Sequence, residues 1–284
     1  MSEIKEEWTE VISSKRGLLD INFKEIWHYR DLVWMFVKRD IAAQYKQTIL
    51  GPVWFFISPF MTVFMYTIVF SRIVGIKTDG IPAPLFYLTG TTLWNYFQQC
   101  FSSSSGTFVN NAGIFGKVYF PRLISPISTI VSNLIKFFIQ FLVLITLIIY
   151  YFLFRNYAFH FNLHLVLFPL LILLMAGIAF GIGIISSALT TKYRDLQLFI
   201  NYGISLLMYA SPVIYPASQV PERYRAYLFL NPISPIIETF RYSLLGNGTF
   251  SWLALGYSLG FMIVIVFIGI VIFNQVEKTF MDTV

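Results

Sequence analysis

A chain of 284 residues that is 57% hydrophobic and 19% aromatic, with only 12% charged residues, cannot keep its surface dissolved, because soluble domains carry about 25% charged residues. The net charge of +6 would suit nucleic acid in a soluble protein, but here its distribution over loops matters more than its sum, and nucleic acid is not an expected partner. A single cysteine, Cys100, excludes an intramolecular disulfide and leaves no Cys-based metal site.

Residues 1–50 contain eight acids and eight bases before the first long apolar run, which is unlike a cleaved signal peptide and predicts a cytoplasmic amino terminus. Within this segment Phe23, Ile26, Trp27, Trp34, Val37 and Ile41 recur at helical spacing, while Lys24, Glu25, Asp31, Lys38 and Asp40 fall largely elsewhere on the wheel. The pattern predicts amphipathic helices lying on the membrane interface; a small soluble N-terminal bundle is the alternative.

Uncharged stretches then follow at Gln47–Ser71, Gly80–Gly116, Phe137–Phe154, Asn156–Thr191, Leu196–Pro221 and Tyr242–Val276, the shortest of them 18 residues. Each approaches the ~20 residues needed to cross hydrocarbon at about 1.5 Å per residue. The expected fold is all-α and polytopic, with six transmembrane helices near 52–72, 85–108, 123–154, 164–190, 196–215 and 251–273. These make a transmembrane domain of 51–273, followed by a cytoplasmic tail of 274–284. With the amino terminus inside, 13 of the 20 Lys and Arg residues face the cytoplasm, which supports both termini inside. The segment 216–248, punctuated by Pro216, Pro221, Pro232 and Pro235 and ending its helix-compatible run at Gly246, is too polar to span. It predicts a re-entrant external helical hairpin, shielded by protein or water, with a plain external loop as the alternative. No internal repeat of helix pairs is present, so any required symmetry must come from a second copy.

The absences bear on function. No Asp or Glu stands between Asp40 and Asp79 or between Asp79 and Asp195, so the spans lack the acids that bind coupling ions in self-powered carriers. The nearest approach to a phosphate loop, Gly113-Ile114-Phe115-Gly116-Lys117-Val118, lacks both the spacing and the hydroxyl residue. Energy for active transport would come from another polypeptide. His160 and His164 have no acid or cysteine beside them, and Asp79, Glu222 and Glu238 form no recognisable catalytic constellation with them. No catalytic residue and no metal site is expected, which argues against a membrane enzyme acting on a lipid-linked sugar.

Polar and aromatic stripes remain. In the second span Thr91, Asn95, Gln98, Ser102 and Ser105 fall within about 80° at 100° per residue, and in the fifth Asn201, Tyr202, Ser205, Tyr209 and Pro212 within about 100°. Phe56, Phe60, Phe64 and Thr67 make an aromatic stripe on the first. Such faces suit a glycan conduit, hydroxyls and amides bonding sugar hydroxyls and rings stacking on sugar faces; glue between helices is the alternative. Lys136 either sits deep in the membrane, fit to meet an anionic headgroup, or snorkels to the cytoplasmic surface. The loops Asn110–Arg122 and Lys192–Asp195 display apolar residues beside bases, as docking loops or membrane anchors do.

From Trp27 to Leu245 the chain resembles the ABC-2 type permeases of the O-antigen, capsule and teichoic acid polysaccharide export family. The residues that carry the resemblance are Arg30-Asp31 through Lys38-Arg39-Asp40, Tyr45-Lys46-Gln47-Thr48-Ile49-Leu50-Gly51-Pro52-Val53-Trp54 and Pro59. Asn111-Ala112-Gly113, Lys117-Val118-Tyr119-Phe120-Pro121-Arg122 and Tyr193-Arg194-Asp195 follow in order. Ser211-Pro212-Val213-Ile214-Tyr215-Pro216 and Asn231-Pro232-Ile233-Ser234-Pro235, with Glu238 and Arg241, complete it. The resemblance implies a homodimer joined by two copies of an ABC ATPase subunit, which would hold the ATP and Mg; no cofactor is expected on this chain. It implies a bacterial cytoplasmic (inner) membrane location, among membrane lipids, and a polysaccharide substrate linked to undecaprenyl diphosphate; a drug or small lipid is the alternative cargo. ATPase coupling would fall to Asn110, Asn111, Gly113, Phe115, Lys117, Arg194 and Asp195. The pathway would be lined by Phe56, Phe60, Phe64, Asn95, Gln98, Ser102, Tyr202, Ser205 and Tyr209, and the exit re-entrant motif would comprise Asn231, Pro232, Pro235, Glu238 and Arg241.

Overall fold

The structure, a computed structural model, describes residues 23–45, 53–118, 120–155, 157, 162–193 and 195–283. Among the described residues every regular element is helical. The order is α1 (Phe23–His28), α2 (Arg30–Tyr45), α3 (Trp54–Tyr66, continued as a π-helical stretch Thr67–Ile73) and α4 (Ala83–Ser105). Then come α5 (Thr107–Phe115), α6 (Ile124–Arg155), α7 (Phe168–Lys192, led by a 3-10 turn), α8 (Leu196–Tyr209), α9 (Glu222–Leu230), α10 (Ile233–Leu245) and α11 (Trp252–Thr283).

Four segments are long and apolar enough to cross a membrane: Phe56–Ile73, Ile124–Arg155, Leu163–Thr191 and Trp252–Glu277. The other two expected spans differ for physical reasons. α4, about 35 Å long at 1.5 Å per residue, dilutes its hydropathy with Thr, Ser, Asn and Gln, and most of its residues are buried in protein. Its hydroxyls answer themselves: Thr89, Thr91 and Thr92 each donate to the carbonyl four residues back at 2.7 Å, which keeps a polar helix tolerable out of water. α8 stops at Tyr209, short of the expected 215, and the chain passes through a turn in which residues 211–214 are buried. The second expected span likewise ends earlier than 108, where Gly106 separates α4 from α5.

α4 and α7 form the centre, with α6 against α4 and α11 against α7. Lipid tails are as apolar as leucine, so van der Waals fit rather than the hydrophobic effect holds such helices together, and small residues set how near backbones come. The α7–α11 seam illustrates this. A Cβ on Gly181 would lie 2.9 Å from the Ile265 carbonyl carbon and the Val266 nitrogen; one on Gly269 would lie 2.8 Å from the Gly181 oxygen. Gly183 admits Ser104 of α4 at a notional 2.6 Å in the same way. Gly181→Leu is expected to force α11 away from α7 and lower stability by about 1–3 kcal/mol, read as a reduced midpoint for thermal unfolding in detergent; an unchanged midpoint would show that the seam tolerates separation.

The amino-terminal helices are two, broken at Tyr29. α2 packs along the first turns of α6, burying Phe36 and Val37, and the Phe36 ring meets Phe120 edge-on at 5.7 Å. Trp27 and Trp34 remain exposed. The apolar positions thus divide between tertiary docking and an outward tryptophan face. The Phe23 side chain, and residues 1–22 and 46–52 entirely, lie outside the described residues.

Candidate functional site

Three groups of residues stand out, at the two ends of the helical bundle and along its open face. At one end, α5 connects α4 to the loop before α6, and its inner side is aromatic. Phe108 stacks on Phe273 of α11 with centroids 4.5 Å apart, Phe115 packs against Phe120 at 5.6 Å, and the Arg122 guanidinium lies 5.6 Å from the Phe115 ring. Arg122 also donates to the Glu277 carbonyl at 2.8 Å and pairs with its carboxylate at 3.9 Å. Burial pulls the Arg122 guanidinium below its ordinary value, partly countered by Glu277.

Phe115 is not displayed on the surface of this end as its short loop suggested: it is buried among Phe108, Phe120 and Arg122. Asn111 is buried too, its amide donating to Ser125 Oγ and the Thr107 carbonyl, both at 2.9 Å. What α5 and its loop expose are Val109, Asn110, Gly113, Gly116, Lys117 and Val118. Asp195, in the loop between α7 and α8, is exposed. Arg194 and Tyr119 lie outside the described residues.

Along the bundle, α3 packs against α4 and α6, and α8 against α4 and α7, each far more thinly than the central helices pack one another. Their outward faces carry Phe56, Phe60 and Phe64 on α3, and Tyr202, Ser205 and Tyr209 on α8. Tyr202 keeps 73% of its surface exposed, a large amphipathic ring left uncovered by its own chain. The α4 stripe is split. Thr91 is buried in packing, and Ser105 accepts a hydrogen bond from Gln197 of α8 at 3.1 Å, so these serve as glue. Gln98 is half-buried, whereas Asn95 and Ser102 line an open cleft that also includes Trp54 and Lys136.

At the far end, α9 is mostly exposed and α10 almost wholly buried against α4, α7 and α11. Gly246, in the left-handed region at φ 79°, ends α10 where the sequence placed the end. Asn231 opens α10: its Oδ1 accepts from the Ile233 amide at 3.1 Å, and its Nδ2 donates to Ser211 Oγ at 2.8 Å. Pro232 offers its carbonyl to Ser258 Oγ at 2.7 Å, and Pro235 sits buried in the first turn, where a missing N–H costs nothing.

Glu238 and Arg241 form an ion pair at 2.7 Å with each side chain only 1% exposed. Arg241 also donates to the Pro212 carbonyl at 2.8 Å and lies 3.8 Å from the Phe86 ring centroid. Glu238 accepts from the Thr249 amide at 3.2 Å, the Thr249 hydroxyl at 3.3 Å and the Ala217 amide at 3.4 Å. Gly90 leaves room for this junction, since a Cβ there would lie 2.8 Å from the Val213 carbonyl and 3.1 Å from Arg241 Nη2. Asp79 braces the same end, accepting from Ser218 Oγ at 2.7 and 2.9 Å, and His164 meets Phe250 edge-on at 4.4 Å. His160 lies outside the described residues, and among those described no three His, Cys, Asp or Glu side chains cluster.

The fold is that of an all-helical multi-pass membrane protein, with a short exposed loop on an aromatic platform at one end and a buried helix clamped by an ion pair at the other. The chain belongs to the ABC-2 type transporter family, whose model matches residues 31–245. It is 27% identical over 254 residues to the O-antigen export system permease protein RfbA of Klebsiella pneumoniae, covering 89% of this chain and 94% of that protein. A protein of the same name from Myxococcus xanthus is 26% identical over 77% of this chain and 82% of its own. The polysialic acid transport protein KpsM of Escherichia coli is 25% identical over 86% and 93% respectively.

Proposed function

We propose that this chain is the permease subunit of an ATP-driven exporter that moves a polysaccharide, O-antigen or a similar glycan linked to undecaprenyl diphosphate, across the bacterial cytoplasmic membrane. The observation that supports this most is the alignment, over most of both chains, with relatives named for O-antigen export and polysialic acid transport. The unit is a homodimer with two ATPase subunits, which bind the ATP and Mg; this chain holds no cofactor. Both termini face the cytoplasm, α4 and α8 complete a set of six membrane segments, and α9 and α10 form the external re-entrant pair.

A polymer many sugars long needs a continuous conduit whose contacts are weak and repeated. The ring-bearing faces of α3 and α8, left uncovered by the chain's own packing, supply such contacts without fixed charge. The exposed part of the α5 loop, with Lys117, Val118 and Asn110, is the surface offered to the ATPase, joined by Asp195.

The test uses the full complex in membrane vesicles with Tyr202→Cys and Tyr209→Cys in a Cys100→Ser background. Soluble thiol reagents are expected to label both positions, with the labelling changing between nucleotide-free and ATP-bound states, and added glycan substrate to protect them. Inaccessibility in both states would remove these residues from the pathway, and export of a fluorescent drug in place of glycan would replace the substrate class.

A further inference from the structure

The open cleft that receives Asn95 and Ser102 has a volume of about 380 Å³ and lies where α3, α4 and α6 meet. Among the described residues no carboxylate lines it. Lys136 turns its ammonium onto buried Asn133, donating to Oδ1 at 2.9 Å, and Asn133 in turn donates to Ser103 Oγ at 3.3 Å. Among the described residues no carboxylate comes within 4 Å of Lys136; Asp40, whose field reaches it, is held by the Arg39 guanidinium at 2.9 Å. One turn along α6, Gln140 also lines the cleft, and its buried amide nitrogen has no hydrogen-bond partner among the described residues. An ammonium with N–H groups to spare and a buried amide donor left unsatisfied make a cavity that lacks an acceptor, and an anion would supply it.

The level of the cleft along the bundle narrows the anion's origin. Lys136 is about 18 Å along α6 from Ile124, yet α2 lies beside those first turns, and the cleft wall contributed by α3 is its first turns, Trp54, Ser58 and Pro59. On α4 the wall includes Gln99, Ser102 and Ser103, near the end that leads into α5. The cleft therefore runs from Asn95, near the middle of α4, toward the α5 end of the bundle, beside α2 and the first turns of α3. Lys136 is turned into the cleft and onto Asn133 rather than away from the fold.

We propose that this cleft binds a phosphate or diphosphate headgroup borne by a lipid, with the Lys136 ammonium and the Gln140 amide as its donors. The inference rests on the export reading, in which the cargo enters from the α5 side attached to a diphosphate lipid. A lysine suits a hold that must be released: it is a compact point charge without the two-pronged geometry with which arginine locks phosphate.

The test uses the full-length chain purified in dodecyl maltoside, which carries no phosphate, and measures retention of tritiated undecaprenyl diphosphate. Undecaprenol serves as neutral control, and phosphatidylglycerol and inorganic pyrophosphate as competitors. Lys136→Gln is expected to weaken diphosphate binding by about 10- to 100-fold, as loss of a hydrogen bond from a charged group implies. Lys136→Arg should stay within a few-fold of the unaltered chain, Gln140→Leu should weaken binding less than Lys136→Gln, and undecaprenol should bind all variants alike.

Competition by pyrophosphate at concentrations like those of the lipid would support the same donors acting on a free anion. Competition by phosphatidylglycerol alone would support a headgroup site open to bulk lipid. Diphosphate retention unchanged in Lys136→Gln and Gln140→Leu, or undecaprenol bound as tightly as the diphosphate, would overturn the proposal. If Lys136→Gln does not purify as a folded protein, Gln140→Leu and the undecaprenol comparison on the unaltered chain decide the matter by the same criteria. Binding unchanged while the complex still exports glycan refutes the cleft alone, whereas a complex that exports no glycan refutes the reading beneath it.

Discussion

Arg241→Met is expected to remove about 3–5 kcal/mol of stability, because it leaves the Glu238 carboxylate buried without its partner. Both side chains are 1% exposed, so water cannot stand in for the missing guanidinium. Membrane or soluble, a fold rarely holds more than about 5–15 kcal/mol in reserve, and this loss consumes a large part of it. The substitution also deprives the Pro212 carbonyl of its donor and Phe86 of the cation on its ring, so the turn after α8 comes loose along with α10. Glu238→Met should be equally damaging, since the Thr249 and Ala217 amides lose their acceptor as well. The double variant should lose less than the sum of the two, because no buried charge remains. Thermal unfolding of the three variants in detergent measures this, and additive losses would mean that the pair is not coupled.

The second large effect is at the other end. Lys117→Glu is expected to leave thermal stability within about 0.5 kcal/mol, as surface changes do, while export falls to background and ATP hydrolysis by the partner continues uncoupled. Phe115→Asp is expected to behave differently. It places a carboxylate among Phe108, Phe120 and the Arg122 guanidinium, beside a pocket that Glu277 also lines, and should unfold the α5 platform as well as stop export. Measuring export, nucleotide hydrolysis and unfolding on both variants separates a lost contact from a lost platform. If Lys117→Glu exports normally, the loop is not the point of coupling.

Much of the architecture is legible in the residue pattern, and the exceptions share a cause. Charge-free runs announce α6, α7 and α11, because neither hydrocarbon nor a dry helix interface solvates charge, and Gly246 announces the end of α10. The end of α8 is masked by the apolar character of Leu207 to Tyr215, although Pro212, which cannot continue the helical hydrogen bonding, marks it, and there Val213 passes close over Gly90. Phe115 and Asn111 sit in a short segment whose composition suits exposure or burial equally; the aromatic partners that bury Phe115 come from the first turn of α5, the following loop and, through Phe108, Phe273 of the last helix. Lys136 can be singled out as an oddity by sequence, but the donors around it come from α4 and α6 and the wall opposite from α3, and no local pattern joins those. Glu238 and Arg241, three apart on one helix, are recognisable as a motif, whereas their partners Pro212, Ala217 and Thr249 are not.

The glycine seam between α7 and α11 also has a mechanical meaning. Backbones in direct contact cannot slide or tilt past each other without clashing, so α11, α7 and, through Gly183, α4 move as one slab. The π-helical end of α3 and the short, lightly held α8 lie at the slab's edges, where little packing resists displacement. Any displacement of the helices is therefore expected to fall at α3 and α8, whose outer faces carry the aromatic rings, rather than within the slab.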